Sequence, residues 1–231
     1  MRRNGVEAPY ETPASDRVVA TLAVRGMEGV EQPIEELQIE VLHAELVILR
    51  FPWGRLQCDH NQFVVSTDQE PIITSCDFFV KCFQMLPETP INAVGINREI
   101  HFSAGSFDML QKVGDTVAPK AFWEPLLKDG EKRVGGLRSL IMEQAVVEND
   151  LKRRLDGRPG HVQFKVEPSL RKDVPFGVYT HINDHFDLNV GGRLSNGRSA
   201  SELVDEIWPV SIERSDSWFD YLMSIVDDNA N

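Results

Sequence analysis

Residues Pro71 to Phe102 constrain this chain most, because they join one strongly apolar helix to its longest alternating strand. Thr74 followed by Asp77 predicts the helix start, since a hydroxyl and a carboxylate at that spacing can satisfy free first-turn N–H groups. Phe79, Cys82, Phe83 and Leu86 then share one face at helical spacing, and Phe78 and Met85 widen the stripe. Pro87 ends the helix, and Pro90 sets the next segment into extended geometry. Beyond it Val94, Ile96, Ile100 and Phe102 point one way, while Asn97, Glu99 and His101 point the other. A helix so apolar needs a sheet to lie on, which predicts an α+β protein.

Other strands are expected at Val18–Val24, Leu37–Val41, Leu46–Phe51 and Leu56–Ser66, the last broken near Asp59-His60-Asn61. Whether His43–Glu45 is a turn or a bulge stays open. Short helices are expected at Ser106–Val113 and at Ala118–Leu127, with Phe122 and Trp123 as buried anchors. Leu137–Val147 reads as a strand, and Asn149–Gly160, with Lys152, Arg153, Arg154 and Arg158, as a charged loop tip. Strands His161–Val166 and Val178–Leu188 follow, then a Gly/Asn/Ser/Arg loop over Gly191–Arg198. Ser199 and Glu202 form a capping box for the longest helix. Its stripe of Val204, Trp208, Ile212, Ser215, Phe219, Leu222 and Val226 passes through Pro209, which predicts one kinked helix.

Residues 1–15 read as a flexible arm and 16–231 as a single α+β domain. The likeness of Gly95-Ile-Asn-Arg to His181-Ile-Asn-Asp suggests two similar halves, at about 16–104 and 134–228. The expected architecture is a curved antiparallel sheet with helices packed on one face. The order VVATLAV, AVGINREIHF, YTHINDHFDL and the terminal ASELVDEIWPVSIERSDSWFDYL helix resembles sporadically distributed, uncharacterised bacterial α+β proteins. That resemblance implies a bacterial, non-secreted protein with a β-rich body and an aromatic-bearing last helix. It carries over no functional residue.

A formal net charge of -12 opposes nucleic-acid binding, which needs a basic surface, and disfavours a membrane-surface role. No run reaches the roughly 18 apolar residues of a membrane span, and the start lacks a secretory h-region. Cys58, Cys76 and Cys82 have no CxxC spacing and read as reduced thiols, so a cytoplasmic location is expected.

The most suggestive polar stretch is His181-Ile-Asn-Asp-His-Phe-Asp, which on a strand aligns His181, Asn183, His185 and Asp187 on one face. His181 and His185 would then stand roughly 13 Å apart, too far to share a metal. Glu99 and His101 could form an acid–base pair or an exposed ion pair. Cys76, near a helix start, could have a lowered thiol pKa, although no histidine partner is in sequence reach. Arg193 and Arg198, before the last helix, form the one anion-friendly neighbourhood. No motif names a cofactor or a metal, and no catalytic residue is assigned.

The expected function is a non-enzymatic cytosolic interaction protein presenting an acidic surface to a protein partner, as a complex subunit or an antitoxin- or immunity-like protein. Trp53, Trp208 and Trp218 look like exposed aromatics that would serve such contact. The alternative is a small-molecule-binding protein or enzyme with His101, His181 and His185 lining a pocket on the sheet face. The two differ in whether those imidazoles converge in space.

Overall fold

Nine strands form one open sheet. They are β1 (Val19–Gly26), β2 (Gln38–His43), β3 (Leu46–Phe51), β4 (Gly54–Asp59), β5 (Gln62–Thr67), β6 (Ala93–Ser103), β7 (Leu140–Gln144), β8 (Gly160–Pro168) and β9 (Gly177–Asp187). The computed structural model describes residues 19–26, 36–129, 132–133, 135–148, 151–189 and 195–227. Helices α1 (Ile73–Met85), α2 (Phe107–Val117) and α3 (Gly197–Asp227) complete an α+β fold.

The sheet order is β7-β8-β9-β6-β1-β5-β4-β3-β2. Every pairing is antiparallel except those of β1, which runs parallel to both β5 and β6. The cause is α1: a helical crossover returns the chain in the direction of the strand before it, and β1 fills the slot between. At the other end β2 to β5 meander through tight turns, so His43–Glu45 is a turn. The register shifts between Ile39 and Val41, and Glu40 there accepts from Arg50 Nε (2.7 Å) and Arg55 Nε (3.1 Å).

The three helices pack on one face. Phe79 and Phe83 of α1 meet Val94 and Ile96 of β6, Phe186 of β9, and Val204 and Trp208 of α3. A second cluster joins Val113 of α2 to Val166, Val178 and Leu222, and a third joins Val162, Ile182 and Phe219. The expected packing of α1 on the β6 strand is therefore present for Phe79 and Phe83, but not for the whole stripe. Cys82 is half-buried, Leu86 is 56% exposed, and Phe78 turns to Phe51 and Trp53 instead.

Both expected caps are displaced. Thr74 caps nothing: α1 begins at Ile73, and Ser75 Oγ donates to the Ile72 carbonyl (2.8 Å). The last helix begins at Gly197, where Asn196 Oδ1 accepts the Ser199 N–H (3.0 Å). Gly197 permits this early start, since a Cβ there would lie 2.4 Å from the Leu86 carbonyl oxygen. The helix then runs unbroken through Pro209. Phe122 is 81% exposed and Trp123 half-exposed, because residues 121–127 form only a 3₁₀ turn and one helical turn, too short to bury a stripe. Trp208 is buried, Trp218 donates to Thr180 Oγ1 (3.0 Å), and Trp53 stacks on Phe51.

The expected loop tip is not all loop. Leu151–Arg153 pairs with Val146–Glu148 as a small hairpin, and Arg154 is 3% exposed. Arg154 pairs with the Asp184 carboxylate, itself 1% exposed, and donates to the carbonyls of His161 (3.2 Å) and His185 (3.3 Å). Arg214 and Ser211 of α3 bind the other Asp184 oxygen. Gly160, at φ +127°, lets the chain leave this corner, where a Cβ would lie 2.2 Å from the His185 carbonyl oxygen. The N-terminal arm, residues 1–15, lies outside the described residues.

Truncating the core aromatic Phe79 to alanine should cost about 3–5 kcal/mol in urea unfolding, while Leu86→Ala should change stability by about 0.5 kcal/mol or less. Equal losses at the two positions would place the α1 stripe differently from this packing.

Candidate functional site

On β6, β8 and β9 the even-numbered apolar residues point at the helices, so the odd-numbered ones share the opposite face. Register then arranges them in rows. His161, His185 and Gly95 form one row, and Gln163, Asn183 and Asn97 the next. Lys165, His181 and Glu99 form a third, and Glu167, Tyr179 and His101 a fourth. His101, His181, Asn183 and His185 are therefore brought onto one surface.

Each side chain in the rows is held by neighbours. His181 Nε2 lies 3.0 Å from Asn97 Oδ1, an acceptor, which places a proton on Nε2. Tyr179 donates its hydroxyl to Glu99 Oε2 (2.7 Å), and His101 Nδ1 lies 2.8 Å from Ser169 Oγ. Glu99 and His101 each have a further hydrogen-bond partner, Tyr179 and Ser169, while Glu99 still acts on His101 by charge. The Tyr179 ring lies 4.8 Å from that of His101 and 6.5 Å from that of His181, and Lys165 Nζ stands 5.5 Å from it.

His161 and His185 stack, with centroids 4.7 Å apart and planes 29° from parallel. Each has its own carboxylate: Asp187 Oδ1 is 3.1 Å from His185 Nε2, and Glu143 Oε2 is 3.9 Å from His161 Nε2. Beside them Gly95 leaves a notch next to the amides of Asn97 and Asn183. Asn183 Oδ1 there is buried without a hydrogen bond among the described residues.

Burial pushes the pKa of His101, His161 and His181 below the ordinary 6.5, and neighbouring His185 lowers His161 further. These imidazoles are neutral near pH 7. Burial likewise drives the Cys76 thiol up to about 12, the reverse of activation at a helix start. Its side chain packs into the helix–sheet core. Cys58, Cys76 and Cys82 are all free thiols.

Arg198 does not join the face. It sits in the first turn of α3, exposed, with its N–H donated to the Pro87 carbonyl (3.1 Å). Arg193 lies outside the described residues, as do Gly191 and Gly192. Among the described residues no three His, Cys, Asp or Glu side chains are arranged to hold a metal ion. Elsewhere an open groove of about 480 Å³ runs along α2 past Phe107, Gln111 and Thr116, and a partly open cavity of about 30 Å³ lies between α2 and the sheet, lined by Leu110, Val113, Leu137, Val166 and Val178. The smaller volume holds a water rather than a ligand.

The sequence reading passed over His161, Gln163, Lys165 and Tyr179. Their alternation was visible, but only the register of β8 on β9 places them beside the predicted residues. Comparison with protein-family models, with curated proteins and with solved structures finds no match to this chain. No described helix is long and apolar enough to cross a membrane.

The three lowered histidines set the sign of a pH dependence. Well above 6.5 they are neutral in both folded and unfolded chains and contribute no slope. As pH falls below 6.5 the unfolded chain takes up protons first, so stability drops until the folded values are passed. Urea midpoints should therefore fall on acidification from about pH 7.5 to pH 5.5, less steeply for His181→Gln. A midpoint that stays flat or rises would contradict the burial described for these rings.

Proposed function

We propose that this chain is a non-enzymatic interaction protein that takes a protein partner on the helix-free face of its sheet. The observation that carries the reading is the layout of the imidazoles. His101, His161, His181 and His185 are spread over rows of three strands, each tied to its own neighbour, and do not aim at one shared point. A polar platform with ring faces suits a macromolecular surface better than an enclosed substrate. The net charge of -12 favours a basic partner by speeding encounter, and it argues against nucleic acid. A role as a subunit of a cytoplasmic complex fits the three free cysteines.

One observation favours a second reading. The unpaired Asn183 Oδ1 beside the Gly95 notch is an acceptor that a small ligand could fill. Native mass spectrometry of tagged protein from its source cells separates the two readings. The first expects a stoichiometric protein with the wild type that is lost from His181→Ala/Asn183→Ala. A bound small molecule with no protein partner would overturn it in favour of the second.

A further inference from the structure

Four imidazoles lie on one face of the sheet, and the charged groups around them decide what protonation there does. His161 is faced by His185 and Asp187 from β9, by Glu143 from β7 and by Lys152 from the small hairpin. His185 is faced by His161 and Asp187. His181 is faced by Glu99 of β6 and Lys165 of β8. His101 is faced by Glu99 and by Arg171 and Asp173 of the 169–176 connection, which pair with each other. Glu167 completes the set, 2.9 Å from Lys165.

Apart from the balanced Arg171–Asp173 pair, the described carboxylates Glu99, Glu143, Glu167 and Asp187 outnumber the amines Lys152 and Lys165 by four to two. With neutral imidazoles this surface is acidic. Protons on His101, His161 and His181 number three, which exceeds that excess of two and reverses its sign once pH falls below their lowered values. Glu143 and Asp187 partly offset the burial that keeps His161 neutral. The stacked His185 ring adds to the forces that hold the His161 pKa down.

From this geometry we infer that the helix-free face is a charge-reversing docking surface, which takes a basic protein segment near neutral pH and releases it on acidification. The inference rests on the platform being the docking face, and charge complementarity selects the occupant.

The probe is a short oligolysine peptide titrated into the intact ¹⁵N-labelled protein at low salt. Amide shifts should map to β6, β8 and β9, and affinity should fall about tenfold between about pH 7.5 and pH 5.5. His101→Asn/His161→Asn should lose much of that fall. The comparison uses the part of the range over which the native amide spectrum persists, because the direction and size of the slope decide. Shifts on the platform with no pH dependence, or with a dependence unchanged in the double variant, overturn the switch and leave the docking reading standing. Shifts confined to other surfaces overturn both.

Discussion

A carboxylate without water is the constraint around which the centre of this molecule is arranged. Asp184 points from β9 into the layer between sheet and helices and is 1% exposed. An ion in that position costs several kcal/mol unless it is paired and hydrogen-bonded. Its partners come from well-separated parts of the chain: Arg154 after the small hairpin, and Ser211 (2.6 Å) and Arg214 on α3. Arg154 meets Asp184 Oδ1 as a charge contact without an aligned hydrogen bond. Its guanidinium lies 3.9 Å from the centre of the Phe186 ring, and it also donates to two strand carbonyls. Such a cluster ties α3 to β9, because a different docking of α3 would take Ser211 and Arg214 away from the buried carboxylate.

The same layer continues at Arg98, which reaches Ser215 Oγ (2.9 Å) and Asp216 from β6. Polar contacts therefore set how α3 sits on the sheet, with Phe186 and Trp208 among the apolar contacts on one side and Phe219 and Leu222 among those on the other. With α3 so placed, the helices occupy one face of β6, β8 and β9. The odd-numbered side chains are left to make their own network on the other. One strand, β9, thus carries structure on its even residues and the proposed binding surface on its odd ones.

Much of this was legible in local pattern. Alternation in Val94–Phe102 and His181–Asp187 separated the polar from the apolar faces, and the helical spacing of Val204 to Val226 marked a buried stripe. What local pattern could not carry was pairing. Asn97 meets Asn183, and His161 meets His185, because β6 and β8 flank β9, and nothing near those residues encodes that order. Arg154 was misread for a related reason: in a run of Lys152, Arg153 and Arg154 it looks like solvated charge, and its partner is 30 residues away, on Asp184. Trp208 reads both as part of the buried stripe and as an exposed aromatic, and packing of α1 against α3 buries it.

The division of labour along β9 is most directly tested by a single-site alanine scan of residues 181–186, read as unfolding free energies. Ile182→Ala, Asp184→Ala and Phe186→Ala should each cost about 2–5 kcal/mol, through a cavity or a stranded buried charge. His181→Ala, Asn183→Ala and His185→Ala should each cost about 1 kcal/mol or less, because they lose only a hydrogen bond or a ring contact on the open face. Losses at the odd positions as large as those at the even ones would mean that both faces hold the fold together, and the account of a free binding face would fail.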